Sequence, residues 1–304
     1  MARKLSNQTR STLLMYLQHF NLVREPFSLS PNPKFLSKLN NSAALFNSLI
    51  EFLNSDQRVC IVKGSTGIGK STLCRKLLKA ANLHKRYFTI GTGYPKISKS
   101  EFYQLLREQL ELAEAPKTKK RVRNALKSLH TSNRHPAIIV DNAEVLPEKT
   151  LQALLELTDR EHKGKKLLKS VLFINTEVES AVETWSRAQI DTQQCRILEM
   201  SALERSHTSS YVKQRLRLAG RDESELFSPS AIDLIAKVSG GRPRLINILA
   251  HKAMISAYQQ DLNVIDDEII DQAIRDTECI PSQPQATFVK NIGLALSRRF
   301  AHGR

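Results

Sequence analysis

Nowhere in this 304-residue sequence do two cysteines stand at C-x-x-C spacing, the pair that a finger-type metal site would need. Cys60, Cys74, Cys195 and Cys279 are scattered, so neither a structural zinc site nor a disulfide framework is expected. The thiols are expected to be reduced and to serve as small hydrophobes. Apolar runs are equally scarce. None approaches the ~18 residues that a bilayer-crossing helix requires. The basic opening MARKLSNQTR leads into no apolar stretch of the kind a secretory leader carries, so the cytoplasm is the default compartment. Acidic residues are missing altogether from 117–135, KTKKRVRNALKSLHTSNRH, which holds seven Lys or Arg and no aromatic residues between them.

What is present reads as a globular protein with an excess of cations. Apolar residues make up 41% and charged residues 25%, enough for a buried core in one larger and one smaller domain. Lys and Arg number 46 against 30 Asp and Glu, a net charge of +16. Such a field favours an acidic partner, be it nucleic acid, an anionic membrane face or an acidic protein.

Along the chain, residues 1–14 read as a basic flexible arm, and 15–36 as an irregular, proline-interrupted segment anchored by Phe20, Phe27 and Phe35. Apolar residues at three and four residue steps predict helices over 42–53, 70–81, 117–135 and 147–158, and another with Phe102, Leu105, Leu106 and Leu110 along one face. Between them lie short strand candidates at 58–64, 85–93, 137–141 and 169–175. This alternation predicts an α/β fold with a largely parallel sheet covered on both faces, over 15–200. From 201 to 280 the pattern is helical, with a Pro near one helix start and Gly240-Gly241 as a stop. Residues 281–304 read as a linker and a short basic amphipathic tail.

The strongest motif is GSTGIGKST, residues 64–72, between a strand and a helix. It fits the phosphate-binding pattern G-x-x-x-x-G-K-[ST]. Gly64, Ser65, Thr66, Gly67, Ile68, Gly69 and Thr72 supply backbone that turns N–H groups around a polyphosphate; Lys70 reaches its outer phosphates and Ser71 a magnesium ion. Such a loop needs an acid at the end of a partner strand, and Asp141 closes AIIVD. Asn142 follows where a second carboxylate would activate water, and an amide is no base. Glu144 either curls back to the site or caps the helix near Pro147. Asn175, ending SVLFIN, either bonds the terminal phosphate or the attacking water, or forms a turn. Arg242 and Arg244 at a helix start suit a waiting anion, because the helix dipole alone disfavours cations there.

These segments, with MYLQHFNLVREPFSLSPNPKFL, IIVDNAEVLPEKTLQALLELT, SVLFINTEVE, GRPRLINILAHKAM and AIRDTE, resemble the AAA+ ATPases of the general secretion pathway A type. The likeness is more specific to the group serving mannose-sensitive haemagglutinin pili. It implies a P-loop NTPase of AAA+ type with a parallel sheet and a small helical lid. It also implies ATP and Mg2+ as ligands, Lys70 and Ser71 on the phosphates and metal, Asp141 on the metal, Asn175 as first sensor and Arg244 as second. An arginine finger reaching a neighbour's nucleotide falls to Arg187 or Arg196. The resemblance implies a homo-oligomeric nucleotide-dependent switch or weak ATPase supporting pilus or secretion machinery, with envelope assembly proteins as partners and a peripheral place at the inner membrane. Turnover is open at Asn142, where relatives carry Glu. The alternative is a DNA-binding, ATP-dependent regulator of transposition that holds duplex DNA on the basic residues of 117–135 and 160–169.

Overall fold

A computed structural model describes residues 15–36, 40–83, 87–92, 96–110, 119–132, 134–162, 164–178, 180–188, 194–221 and 225–278. The expected arm 1–14 and the linker and tail 281–304 lie outside these residues.

The chain divides into two units. The first comprises Ser30–Glu204 with the short segment Gly241–Arg244. Its frame is five parallel strands: β1 (Val59–Gly64), β2 (Tyr87–Thr92), β3 (His135–Val140), β6 (Lys169–Asn175) and β7 (Cys195–Glu199), in the order β2-β3-β6-β1-β7. A two-residue pair, β4 (Glu161–His162) and β5 (Lys165–Lys166), forms a separate hairpin turned by Gly164. The helices are α1 (Ser42–Asn54), α2 (Lys70–Leu83), α3 (Lys99–Gln109), α4 (Lys119–Thr131), α5 (Glu148–Thr158) and α6 (Ala181–Ala188).

Strand alternation sorts the core into two layers. Val59, Ile61, Ile138, Val140, Leu172 and Ile174 point to one face, where they join Phe102 and Leu106 of α3, Val122 and Leu126 of α4, and Leu151 and Leu154 of α5. Cys60, Val62, Ala137, Ile139, Val171 and Phe173 point to the other, against Leu49 and Phe52 of α1 and Leu73 and Leu77 of α2. Central strands buried on both sides must be apolar throughout, which is why they read as continuous runs in the sequence. Cys60 and Cys74 belong to this second layer, and burial pushes both thiols well up from their ordinary range; Cys195 is pushed up to about 11. Cys60, Cys74 and Cys195 are unpaired.

Local chemistry fixes several ends. Ser98 accepts from the Glu101 N–H while Glu101 accepts from the Ser98 N–H, a reciprocal cap that starts α3. The end of α1 is closed from a distance: the Lys169 ammonium donates to the carbonyls of Phe52 at 3.0 Å, Leu53 at 3.1 Å, and Ser55. A cation on a helix's last carbonyls satisfies orphan acceptors and the dipole together.

The second unit contains residues 15–29, Arg205–Gly240 and 245–278. Its helices are α7 (Thr208–Leu218), α8 (Pro229–Ser239), the greater part of α9 (Pro243–Gln259) and α10 (Asp267–Glu278). Ser228 caps α8 by accepting from the Ala231 N–H, proline fills its first turn, and Gly240 ends it in the left-handed conformation. Residues 15–29 group with these helices rather than with the sheet. Phe20 and Phe27 are fully buried, Phe27 meets the Phe227 ring edge-on at 5.9 Å, and the Val23 N–H donates to the Ala219 carbonyl. Arg215 and Arg221 donate to the carbonyls of Ser28 and Phe20 in the same segment.

Candidate functional site

Because the sheet is parallel, the carboxyl ends of β3, β6 and β1 lie side by side, and loops that follow parallel strands form the ligand crevice of such sheets. Each of these strands is followed by polar chemistry. Asp141 follows β3, Asn175 ends β6, and Gly64 ends β1 directly opposite Asn175 in the pairing register.

The loop after β1 turns through Gly67 at φ 80° and Gly69 at φ 114°, backbone conformations that L side chains rarely adopt, and then enters α2 at Lys70. Successive N–H groups turned inward at a helix start make a concave anion site. Lys70 is buried, and its Nζ donates to the Gly64 and Ser65 carbonyls at 2.7 Å each. Burial pushes the ammonium down from its ordinary pKa, while Glu144, Asp141 and Glu177 hold it up. The lysine therefore sits among three carboxylates.

Glu144 lies in the 3-10 turn Ala143–Val145 and accepts the Asn175 N–H at 3.3 Å. It does not cap the following helix, whose preceding residue is Pro147 with no side-chain cap. Asn142 adopts the left-handed conformation, φ 51° and ψ 44°, and its N–H donates to the Asp141 carboxylate at 3.1 Å. Asn tolerates that backbone far better than most residues with a Cβ, which gives a structural reason for an amide at this position.

Asn175, itself buried, donates from Nδ2 to the Thr66 hydroxyl at 2.9 Å. Glu177 donates its N–H to Asn175 Oδ1 at 3.1 Å and accepts the Thr66 N–H at 3.4 Å. Its carboxyl is held below the usual range by the Thr66 hydroxyl first, and also by Arg242 and Lys70. Glu177 was not among the residues expected from sequence; the only signal is an acid two places after a strand-end Asn.

Arg244 meets the phosphate loop through backbone and stem. Its N–H donates to the Gly67 carbonyl at 3.0 Å, and burial pushes its guanidinium down from its ordinary pKa. A Cβ on Gly67 would lie 2.8 Å from the Arg244 Cβ. Of the two arginine-finger candidates, Arg187 lies in α6, its side chain outside the described residues. Arg196, near the opposite end of the sheet from Gly64, donates to Gln57 at 2.8 Å and to the Ser48 carbonyl at 3.1 Å.

Residues 53–182 match the family model described as an AAA domain. Solved structures agree along most of the chain: the ORC2 protein of Aeropyrum pernix superposes with a TM-score of 0.61 at 18% identity, covering 88% of this chain and 74% of that one. The fold is that of an AAA P-loop NTPase. Cdc6p from Pyrobaculum aerophilum, TM-score 0.65 at 14% identity over 88% of this chain and 74% of that one, shares the AAA architecture. Among curated proteins, General secretion pathway protein A of Aeromonas hydrophila is 27% identical over 249 residues, 80% of this chain. The chain spans 45% of that relative's length.

Proposed function

We propose that this AAA protein binds ATP with magnesium at the carboxyl ends of β1, β3 and β6, and uses it as a nucleotide-dependent switch with slow hydrolysis. The observation that carries the reading is the gathering of Lys70, Asp141, Glu144 and Asn175 around one phosphate loop. The donor set fits a magnesium nucleotide. One hydroxyl, Ser71, and one carboxylate, Asp141, suit a cation that keeps waters and phosphate oxygens in its shell. When bound, that ion neutralises charge on the outer phosphates. Lys70 exchanges its two carbonyl partners for phosphate oxygens, Asn175 donates toward the outer phosphate, and Glu144 orients water and takes its proton in place of the missing acid at 142. Arg244 senses the loop through Gly67.

Titration of wild type and K70A with ATP and magnesium tests this. The expected result is binding by wild type and a loss of about 100-fold or more in K70A, since two charge-assisted hydrogen bonds disappear. Equal binding by the two proteins, or none by wild type, contradicts it.

The likeness to General secretion pathway protein A supports a role in secretion; we extend that reading to pilus or secretion machinery assembly by an oligomer at the inner face of the membrane. Light scattering with and without ATP is expected to show a larger assembly in ATP; an unchanged monomer contradicts the oligomeric switch. No described helix is long and apolar enough to cross a membrane. A second reading, ATP-dependent DNA binding, is favoured by the outer face of α4, where Lys120 and Arg121 are exposed. The 160–169 segment favours it less, because Lys166 pairs with Glu161 at 2.6 Å and Lys169 closes α1. No duplex binding at low salt, where phosphate contacts are strongest, removes this reading.

A further inference from the structure

Three hydrogen bonds close a ring beside the phosphate loop. The Thr66 N–H donates to Glu177 Oε2, the Glu177 N–H donates to Asn175 Oδ1, and Asn175 Nδ2 donates to the Thr66 hydroxyl. The ring ties the loop after β6 to the third residue of the phosphate-binding motif. It also places an exposed carboxylate at the mouth of a site built for anions, within the field of Lys70 and Arg242.

An internal anion at such a place has a cost when a polyphosphate arrives. The Thr66 contact and the field of Lys70 both favour a negative group, and the carboxylate already supplies one. The incoming outer phosphate meets a like charge held on the same loop, so either the carboxylate swings out or the two charges coexist at a penalty. Because Asn175, which bonds Thr66, donates toward the outer phosphate in the nucleotide reading, the penalty falls on the terminal phosphate and spares the inner ones.

We propose that Glu177 is a specificity-determining residue: its carboxylate occupies the outer anion position of the phosphate loop and competes with the terminal phosphate, lowering affinity for the triphosphate relative to the diphosphate. Arg242 receives the displaced carboxylate, which leaves the nucleotide-bound loop without its ring. The proposal rests on the nucleotide reading above and adds to it an internal competitor.

The test compares ATP and ADP binding to the full chain by calorimetry, for wild type, E177Q and E177A. E177Q keeps the size and the acceptor of the ring but removes the charge; E177A removes both. Glu177 is exposed, and melting temperatures equal to wild type confirm that each variant folds. The expected result is a gain on the order of tenfold for ATP in both variants, with ADP changed less than about threefold. ATP affinity that is unchanged or weaker in E177Q overturns the proposal, as does an equal gain for both nucleotides. Wild type that binds neither nucleotide overturns the nucleotide reading itself and this proposal with it. Wild type that binds both, with no gain in E177Q, overturns this proposal alone.

Discussion

Replacing Gly67 by alanine is expected to damage nucleotide binding far more than the same change at Gly164. The new methyl would sit 2.8 Å from the Arg244 Cβ and 3.4 Å from its Cδ, on a backbone at φ +80°. Holding an L-residue there costs about 1–2 kcal/mol, and relieving the overlap costs about 1–3 kcal/mol more. The strain is released where the structure gives way most easily, by moving the loop or the Arg244 stem whose N–H bonds the Gly67 carbonyl. If about 2 kcal/mol of it appears as displaced phosphate-binding amides, the Kd for ATP rises roughly 30-fold. Gly164 is the control, since it stands at φ +72° with nothing within 4 Å of an added methyl. G164A therefore carries only the backbone strain, about 1 kcal/mol of stability, and leaves ATP binding as it was. Titration with a fluorescent ATP analogue, beside thermal melts with and without ATP, reads both quantities. G67A binding within twofold of wild type, or G164A losing as much affinity as G67A, refutes the reasoning.

Three further outcomes follow from the same structure. His251 is pushed down from 6.5 to about 4 by burial, and its Nδ1 is shut away without a hydrogen-bond partner. The unfolded chain therefore takes up a proton that the folded chain refuses. Stability is fully present above pH 6.5, falls as the pH drops toward 4, and loses at most about 3 kcal/mol. Denaturant titrations of wild type and H251Q across that window are expected to show a flatter profile in the variant, and parallel profiles contradict this. K169M strips the end of α1 of its cation and leaves three carbonyls without that donor. A loss of roughly 1.5–3 kcal/mol in denaturant unfolding is expected, with ATP binding intact; no loss contradicts the capping role. N142E introduces a second carboxylate beside Asp141 but places it at φ 51°. Its turnover is expected to stay within about threefold of wild type, because a glutamate held in the left-handed conformation costs about 1–2 kcal/mol; a gain of 100-fold contradicts the structural account of Asn142.

The phosphate loop was legible because its chemistry is local: glycines, a lysine and a hydroxyl within nine residues, between an apolar run and a helical stripe. The paired strands β3 and β6 were legible for the same reason, since burial on both faces leaves a continuous apolar run. Strand β7 left no comparable trace, as an edge strand with an alternating, partly exposed Cys195–Glu199. The hairpin β4–β5 read only as a basic stretch, because its strands are two residues long and carry no apolar alternation. Grouping by contact is likewise invisible in chain order. Residues 15–29 join the helical unit through Phe20 and Phe27, whereas Gly241–Arg244 join the sheet unit through Arg244 and Gly67. Glu144 had two readings from sequence, and its bond to the Asn175 N–H, which depends on β3 and β6 being neighbours, separates them.

In the proposed function Glu144 serves the nucleotide held by Lys70 and Asp141. Single-turnover release of phosphate from ATP by wild type and E144Q, with ATP affinity measured on the same samples, tests it most directly. Measurable release by wild type is expected, with a loss of about 100-fold or more in E144Q and ATP affinity changed by less than about threefold. Release by E144Q at the wild-type rate contradicts it.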